Sequence, residues 1–297
     1  MDEAVRAQLR QDLLWILQAP ALLPAAELGW DPGEAFTADL IDPVLTTQWQ
    51  ALEQARHGKL GHYFEALVQA LFTASPDYRI LASNCIIRGP SRTLGELDLL
   101  LEDYRQGCIV HLELALKFYL LIPEVPDIDP ACRWIGSGLK DFMTLKSQRL
   151  LSHQLRLPER AAEENAWPLH LPRPDQSLGW VTGRGFVPYS TELDTATTAQ
   201  SWPLIAPQAL VRPWLTESDA RQRGLTGHWI NKSQWLSPHP GPNETRKHPP
   251  PAQWLGRLPG EGEDGHWFIV PDDWPERAQG SMLRRFDRLP MPRQTDR

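Results

Sequence analysis

Acidic side chains stand where apolar ones are expected in two neighbouring segments of this chain, Gly95-Glu96-Leu97-Asp98-Leu99-Leu100 and His111-Leu112-Glu113-Leu114-Ala115-Leu116-Lys117. Side chains alternate along a strand. Glu96 and Asp98 should therefore share one face of the first segment, and Glu113 and Lys117 one face of the second. Leu97, Leu99, Leu112, Leu114 and Leu116 then mark the opposite, buried face. If the strands pair, Asp98 and Glu113 stand about 5 Å apart. Two carboxylates that close repel, and either a proton or a hard cation such as Mg²⁺ relieves the repulsion. The cation is the more useful answer, because it polarises a phosphoryl oxygen and acidifies a water that a nearby lysine can hold or activate. The competing reading is a solvated sheet face on which the acids simply meet water. His111 falls on the carboxylate face, either touching a metal or substrate or serving as a satisfied structural histidine.

The elements that must position these groups follow from periodicity. Val5, Leu9, Leu13, Leu14, Leu17 and Leu22 recur at helical spacing until Pro20 and Pro24 interfere, and a loop with Trp30, Pro32 and Pro43 follows. A second helix is predicted over 59–73, with Leu60, Phe64, Leu67, Val68 and Leu71 on one stripe and Ser75-Pro76-Asp77 as its stop. Tyr78–Arg88, 94–102 and Cys108–Leu121 read as strands, separated by Gly89-Pro90 and Gln106-Gly107. Pro123, Pro126 and Pro130 close that sheet. Helical spacing resumes over 139–155 through Phe142, Leu145, Leu150 and Leu151, so the predicted order is helix, three strands, helix.

Beyond about residue 164 the texture changes. Nine of the thirteen tryptophans lie between Trp167 and Trp274, among prolines and short runs at 185–189, 227–231 and 266–271 that read as strands. Trp229, Trp235, Trp267 and Trp274 either stack on a ligand or fill the core of an irregular β-containing region. The proline-rich stretch 238–251 reads as an extended loop, and Arg284, Arg285, Arg288, Arg293 and Arg297 as a basic tail suited to phosphate.

With 41% hydrophobic and 23% charged residues over 297 positions, the chain can bury a core and is neither disordered nor collagen-like. No apolar run is long enough to span a membrane, Asp2 and Glu3 precede the first arginine against secretory charge order, and three scattered cysteines make no disulfide framework. The expected compartment is the cytoplasm. The net charge of −7 disfavours indiscriminate nucleic-acid binding, yet from 132 to 160 six basic residues face only Asp141 and Glu159. Gly136-Ser137-Gly138-Leu139-Lys140-Asp141 lacks the glycine spacing and hydroxyl of a phosphate loop and reads as a helix entry. Cys85, Cys108 and Cys132 lack paired spacing for zinc and are expected as buried small hydrophobes, and no Gly-x-Ser-x-Gly elbow supports a serine nucleophile.

The helix carrying Glu65, the strand carrying Gly95-Glu96-Leu97-Asp98-Leu99-Leu100 and the strand carrying Val110-His111-Leu112-Glu113 resemble the core of the PD-(D/E)XK nuclease superfamily. Across most of the chain, the N-terminal helix, Glu113-Leu114-Ala115-Leu116-Lys117-Phe118-Tyr119-Leu120 and the Trp-rich tail resemble a bacterial family, domain of unknown function 1853. The resemblance implies an α/β fold with a PD-(D/E)XK nuclease-like core, a mixed sheet flanked by helices, and a Trp-rich β-containing C-terminal region. Its divisions are an N-terminal helical segment at 1–57, the nuclease-like core at 58–160 and the Trp-rich region with its basic tail at 161–297. The implied activity is Mg²⁺- or Mn²⁺-dependent hydrolysis of nucleic acid, with Asp98 and Glu113 as metal ligands, Glu65 as an accessory acid and a lysine assisting the attacking water. A non-catalytic nucleic-acid-binding or scaffold protein on a degenerate nuclease fold is the alternative. One departure is physical: that superfamily spaces Glu and Lys two residues apart, whereas Glu113 and Lys117 are four apart, about 13 Å along a strand, with Ala115 between. Lys117 can reach in on its long stem or through a bulge. Otherwise Lys140 or Lys146 supplies the ammonium, and Gln154 can face the site.

Overall fold

The computed structural model of the chain describes residues 3–24, 28–30, 32–189, 204–237, 250–260, 263 and 265–286. Most of the 238–251 loop and the arginines beyond Phe286 lie outside the described residues. The opening amphipathic pattern forms α1 (Glu3–Gln18), which buries Leu9, Leu13 and Ile16. The expected loop around Trp30, Pro32 and Pro43 is instead largely helical, comprising α2 (Pro32–Ala35), a 3₁₀ turn, α3 (Ile41–Thr47) and α4 (Trp49–Arg56). Pro32 opens α2 and Pro43 sits in the first turn of α3, where a missing N–H costs nothing.

Helix α5 (Leu60–Ala74) presents Phe64, Leu67, Val68 and Leu71 to the sheet. Strands β1 (Tyr78–Arg88), β2 (Thr93–Asp103) and β3 (Cys108–Leu121) form an antiparallel meander. The chain then makes a short strand β4 (Trp134–Gly136), which pairs with the far end of β3. Helices α6 (Met143–Arg149) and α7 (Leu157–Glu163) follow, joined through one π-helical turn at Leu150–Gln154. The single helix expected over 139–155 starts later, at Met143, and carries the π-helical turn as far as Gln154, while Gly136-Ser137-Gly138 ends a strand rather than entering a helix.

Strand β5 (Gln176–Pro188) returns parallel to β3, from Val110↔Gln176 to Leu120↔Phe186. The sheet continues through β6 (Val211–Thr216), followed by α8 (Glu217–Gln222), β7 (Thr226–Trp229), β8 (Ala252–Arg257) and β9 (Gly265–Val270), and α9 (Trp274–Phe286) ends the described chain. Among the described residues nine strands form one mixed sheet, ordered β1-β2-β3-β5-β6-β9-β8-β7 with β4 beside β3. Helix α5 covers one face of the meander, with Leu99, Leu101, Val110, Leu112 and Leu114 beneath it. On the other face, Met143 and Leu150 pack on Ala115, Tyr119 and Val181, while Leu157 and Ala161 pack on Leu94, Leu97 and Leu100. Trp235, Trp267 and Trp274 are buried in this architecture, and Trp229 packs edge-on against Trp254 at 4.6 Å, so these rings build core. Among the described residues no helix is long and apolar enough to cross a membrane.

Candidate functional site

Strands β2 and β3 pair from Asp103↔Cys108 to Leu99↔Leu112 and no further. Beside β3 the next partner is β4, beginning at Tyr119↔Gly136, while β5 occupies the other edge of β3 throughout. Among the described residues, 113–118 therefore have no strand on the β2/β4 edge, a window about 16 Å long. The cause is Asp98. Its carboxylate Oδ2 accepts the Leu114 N–H at 2.8 Å, taking the place a backbone carbonyl would hold.

Strand β2 also changes face at this residue. Leu97 packs with Leu157 and Ala161 on one side of the sheet, whereas Leu99 packs with α5 on the other. The expectation that Leu97 and Leu99 share a face is thus corrected. A matching irregularity lies across the ladder. Asn84, flanked by the pairs Ser83↔Leu99 and Cys85↔Leu97, adopts a left-handed φ of 49° that interrupts strict alternation.

Glu113 is 1% exposed and His111 0%, so the carboxylate face of β3 is not a solvated one. His111 Nε2 lies 2.8 Å from Glu113 Oε1, and because a carboxylate only accepts, that nitrogen carries the proton. Its Nδ1 meets Ser177 Oγ at 3.1 Å. Gln154 Nε2 donates to Glu113 Oε2 at 2.5 Å, and Lys146 Nζ donates to Gln154 Oε1 at 2.7 Å. The π-helical turn ends at Gln154, widening the helix by one residue so that Gln154 faces the strand; such turns recur at functional sites.

Burial and the neighbouring Glu113 charge push the Asp98 carboxyl up to about 7, with Glu65 adding to the rise and the Leu114 N–H and Lys146 opposing it. Burial and the Lys117 charge lower the proton affinity of Lys146, while Glu113, Asp98 and Asp141 counter them. Two carboxylates and one reluctant ammonium thus share a poorly solvated space. The oxygen donors suit a hard cation, and Asp98 makes its only hydrogen bond among the described residues through Oδ2. Among the described residues no three His, Cys, Asp or Glu side chains are grouped to hold a metal ion. A cation here would have two protein carboxylates and water for the rest, which Mg²⁺ accepts.

The remaining candidates separate. Glu65, on α5, lies close enough to raise the Asp98 pKa but bonds elsewhere, accepting from Asn84 Nδ2 at 3.5 Å and meeting His62 Nδ1 at 3.3 Å. Lys117 donates to Asp141 Oδ2 at 2.6 Å, and Tyr119 donates to Asp141 Oδ1 at 3.1 Å. Lys117 is thus bonded to Asp141 rather than to Glu113. Of the two substitute lysines, Lys140 is exposed and Lys146 reaches the cluster. Glu96 is exposed. The cysteines are free and half-buried, less enclosed than expected. Asp141, Asn84 and Ser177 escape sequence reading: no spacing rule ties a loop aspartate to Lys117, and Ser177 meets His111 only because β5 returns parallel. A family model described as Domain of unknown function (DUF1853) matches residues 11–270. No curated protein and no solved structure matches the chain.

Proposed function

We propose, for a chain that belongs to the DUF1853 family, metal-dependent hydrolysis of phosphodiester bonds in nucleic acid, centred on Asp98 and Glu113. The observation that carries this reading is a pair of neighbouring carboxylates, Glu113 buried and Asp98 half-buried with its pKa raised to about 7, at a place where the sheet opens. Structure left with that much unrelieved charge is costly and clusters at working sites. A mixed sheet flanked by helices supports the reading, since it is what the PD-(D/E)XK resemblance implies.

Asp98 and Glu113 would hold Mg²⁺ or Mn²⁺. When bound, the cation supplies polarisation of a phosphoryl oxygen and an acidified water. His111, anchored on Ser177, and Gln154 fix both oxygens of Glu113, so its orientation is set before any ligand arrives. Lys146, held by Gln154 and with a lowered proton affinity, is the ammonium best placed to stabilise developing charge or to yield a proton. It takes the role that the resemblance implies for a lysine, in place of Lys117, which with Asp141 contributes charge further along the window. Glu65 adds negative charge near Asp98 from α5.

A second reading, a non-catalytic nucleic-acid-binding or scaffold protein, is favoured by one observation: both Glu113 oxygens already accept hydrogen bonds. Cleavage of labelled DNA and RNA with Mg²⁺ or Mn²⁺ separates the two. The expected result is metal-dependent cleavage that Asp98→Asn and Glu113→Gln each abolish while circular dichroism is unchanged. Cleavage retained in both variants removes the catalytic reading. Mn²⁺ that neither binds nor raises the melting temperature of the wild type leaves the binding reading.

A further inference from the structure

The window on β3 does not end at the carboxylates. It opens onto a pocket of ≈520 Å³ whose floor is Leu116, Lys117 and Phe118 and whose walls include Gly58–Gly61, Gly136–Gly138, Lys232 and Trp235. Three lysines, Lys59, Lys117 and Lys232, line it against one aspartate, Asp141. Lys117 is bonded to Asp141, whereas Lys59 and Lys232 are exposed. A side chain added at Gly61 or at Gly138 would meet nothing within 4 Å, so the glycine walls leave free space. The floor is firm. Phe118 packs edge-on against Trp235 at 5.4 Å, Lys232 Nζ lies 5.7 Å from the Trp235 ring centre, and buried Arg184 donates to the Trp235 and Leu236 carbonyls at 2.5 and 2.6 Å. Helix α5 starts here at Leu60, and its N-cap residue Lys59 makes no side-chain cap hydrogen bond, so the helix end adds partial positive charge to the same space.

We propose that this pocket seats a phosphate of the nucleic-acid strand, next to the bond positioned at Asp98 and Glu113, with Lys59 and Lys232 as its cationic contacts. The proposal deepens the functional reading above and rests on it for the identity of the strand. Charge complementarity supports it. In a chain of net charge −7, this concavity gathers three lysines around one aspartate, and it lies along the same strand edge as the carboxylates. A phosphate held there would align a backbone along residues 113–118, delivering the neighbouring linkage to the acids.

Lys59→Gln with Lys232→Gln removes both exposed charges and keeps most of each apolar stem, including the one over Trp235. The measurement is fluorescence anisotropy of labelled single- and double-stranded oligonucleotides in EDTA over a salt series, so that no cleavage intervenes. The double variant should bind about tenfold more weakly, with a salt slope reduced by roughly 0.7 to 0.9, the loss of one neutralised phosphate. Unchanged affinity and slope overturn the proposal. So does a double variant that loses only a phosphate-induced rise in melting temperature, which marks a free-anion site, or only affinity for polyglutamate, which marks an acidic protein partner. The two readings fail separately. Weakened binding in the lysine variant without any Mg²⁺-dependent cleavage keeps the phosphate seat and removes catalysis; Asp98-dependent cleavage with binding indifferent to both lysines does the reverse.

Discussion

At the scale of single residues, Asp98 sets the behaviour of the site. The folded state holds its proton up to about 7, against an ordinary value of 3.8. Between those two values the unfolded chain has already released a proton that the folded chain retains, so stability falls as pH rises through that window. Asp98→Asn keeps an oxygen for the Leu114 N–H and removes the ionisation. The variant is therefore expected to exceed the wild type by a few kcal/mol in urea denaturation at about pH 8 and to lose that advantage near about pH 4. A difference that does not vary with pH contradicts the assignment of this burial to Asp98. Mn²⁺ at the higher pH should narrow the gap by stabilising the wild type alone, as a ligand that binds only the folded state does.

At the scale of elements, the site exists because two strands are irregular at matching positions. Asn84 in the left-handed region lets β1 turn where β2 changes face at Asp98, and its amide spans Gln69 and Glu65 on α5. Asn84→Gly should be nearly neutral, whereas Asn84→Val should cost about 1–2 kcal/mol in chemical denaturation, since a β-branched residue resists positive φ. Equal costs for the two would mean that the backbone conformation is not what holds the turn. Gly183 plays a comparable part on the other edge. Its φ of 138° lets β5 approach β3 so closely that a Cβ would lie 1.8 Å from the Lys117 carbonyl oxygen. These irregularities explain what the sequence discloses and what it hides. Cys108–Leu121 is readable as a strand because an apolar run bounded by Gly107 and Pro123 leaves no other element, and alternation within it places His111 and Glu113 on one face, where they bond. The face change at Asp98 is hidden because no residue type marks it on β2, and the matching irregularity opposite, Asn84, shows only in its backbone φ of 49°. Lys146 and Gln154 are readable only as candidates, since a continuous helix and one with a π-turn share the same apolar spacing. Pro32 and Pro43 look like breakers unless their first-turn positions are known.

At the scale of the whole molecule, buried polar groups tie distant parts of the chain into one unit. Asp12 of α1 is fully buried and accepts hydrogen bonds from Gln8 Nε2 at 3.0 Å, from the Tyr63 hydroxyl of α5 at 2.7 Å and from the Ser237 hydroxyl. The Asp12 charge also favours the protonated form of Arg184, the guanidinium that burial brings down to about 9 and that holds the Trp235 and Leu236 carbonyls beside the lysine-lined pocket. A residue near the start of the chain thus braces the far wall of that pocket through β5. Removing its carboxylate leaves the Tyr63 hydroxyl without its acceptor in a dry interior, a loss that costs more than the bond itself contributes. Asp12→Ala is accordingly expected to lose on the order of 3 kcal/mol of stability. Because the sheet runs unbroken from β1 to β7, tryptophan fluorescence, weighted to the C-terminal half, and far-ultraviolet circular dichroism should shift together and remain superimposable in urea. Separation of the two transitions in the variant would show that the Trp-rich half folds independently of the carboxylate-bearing strands, and that Asp12 fastens two units rather than stabilising one.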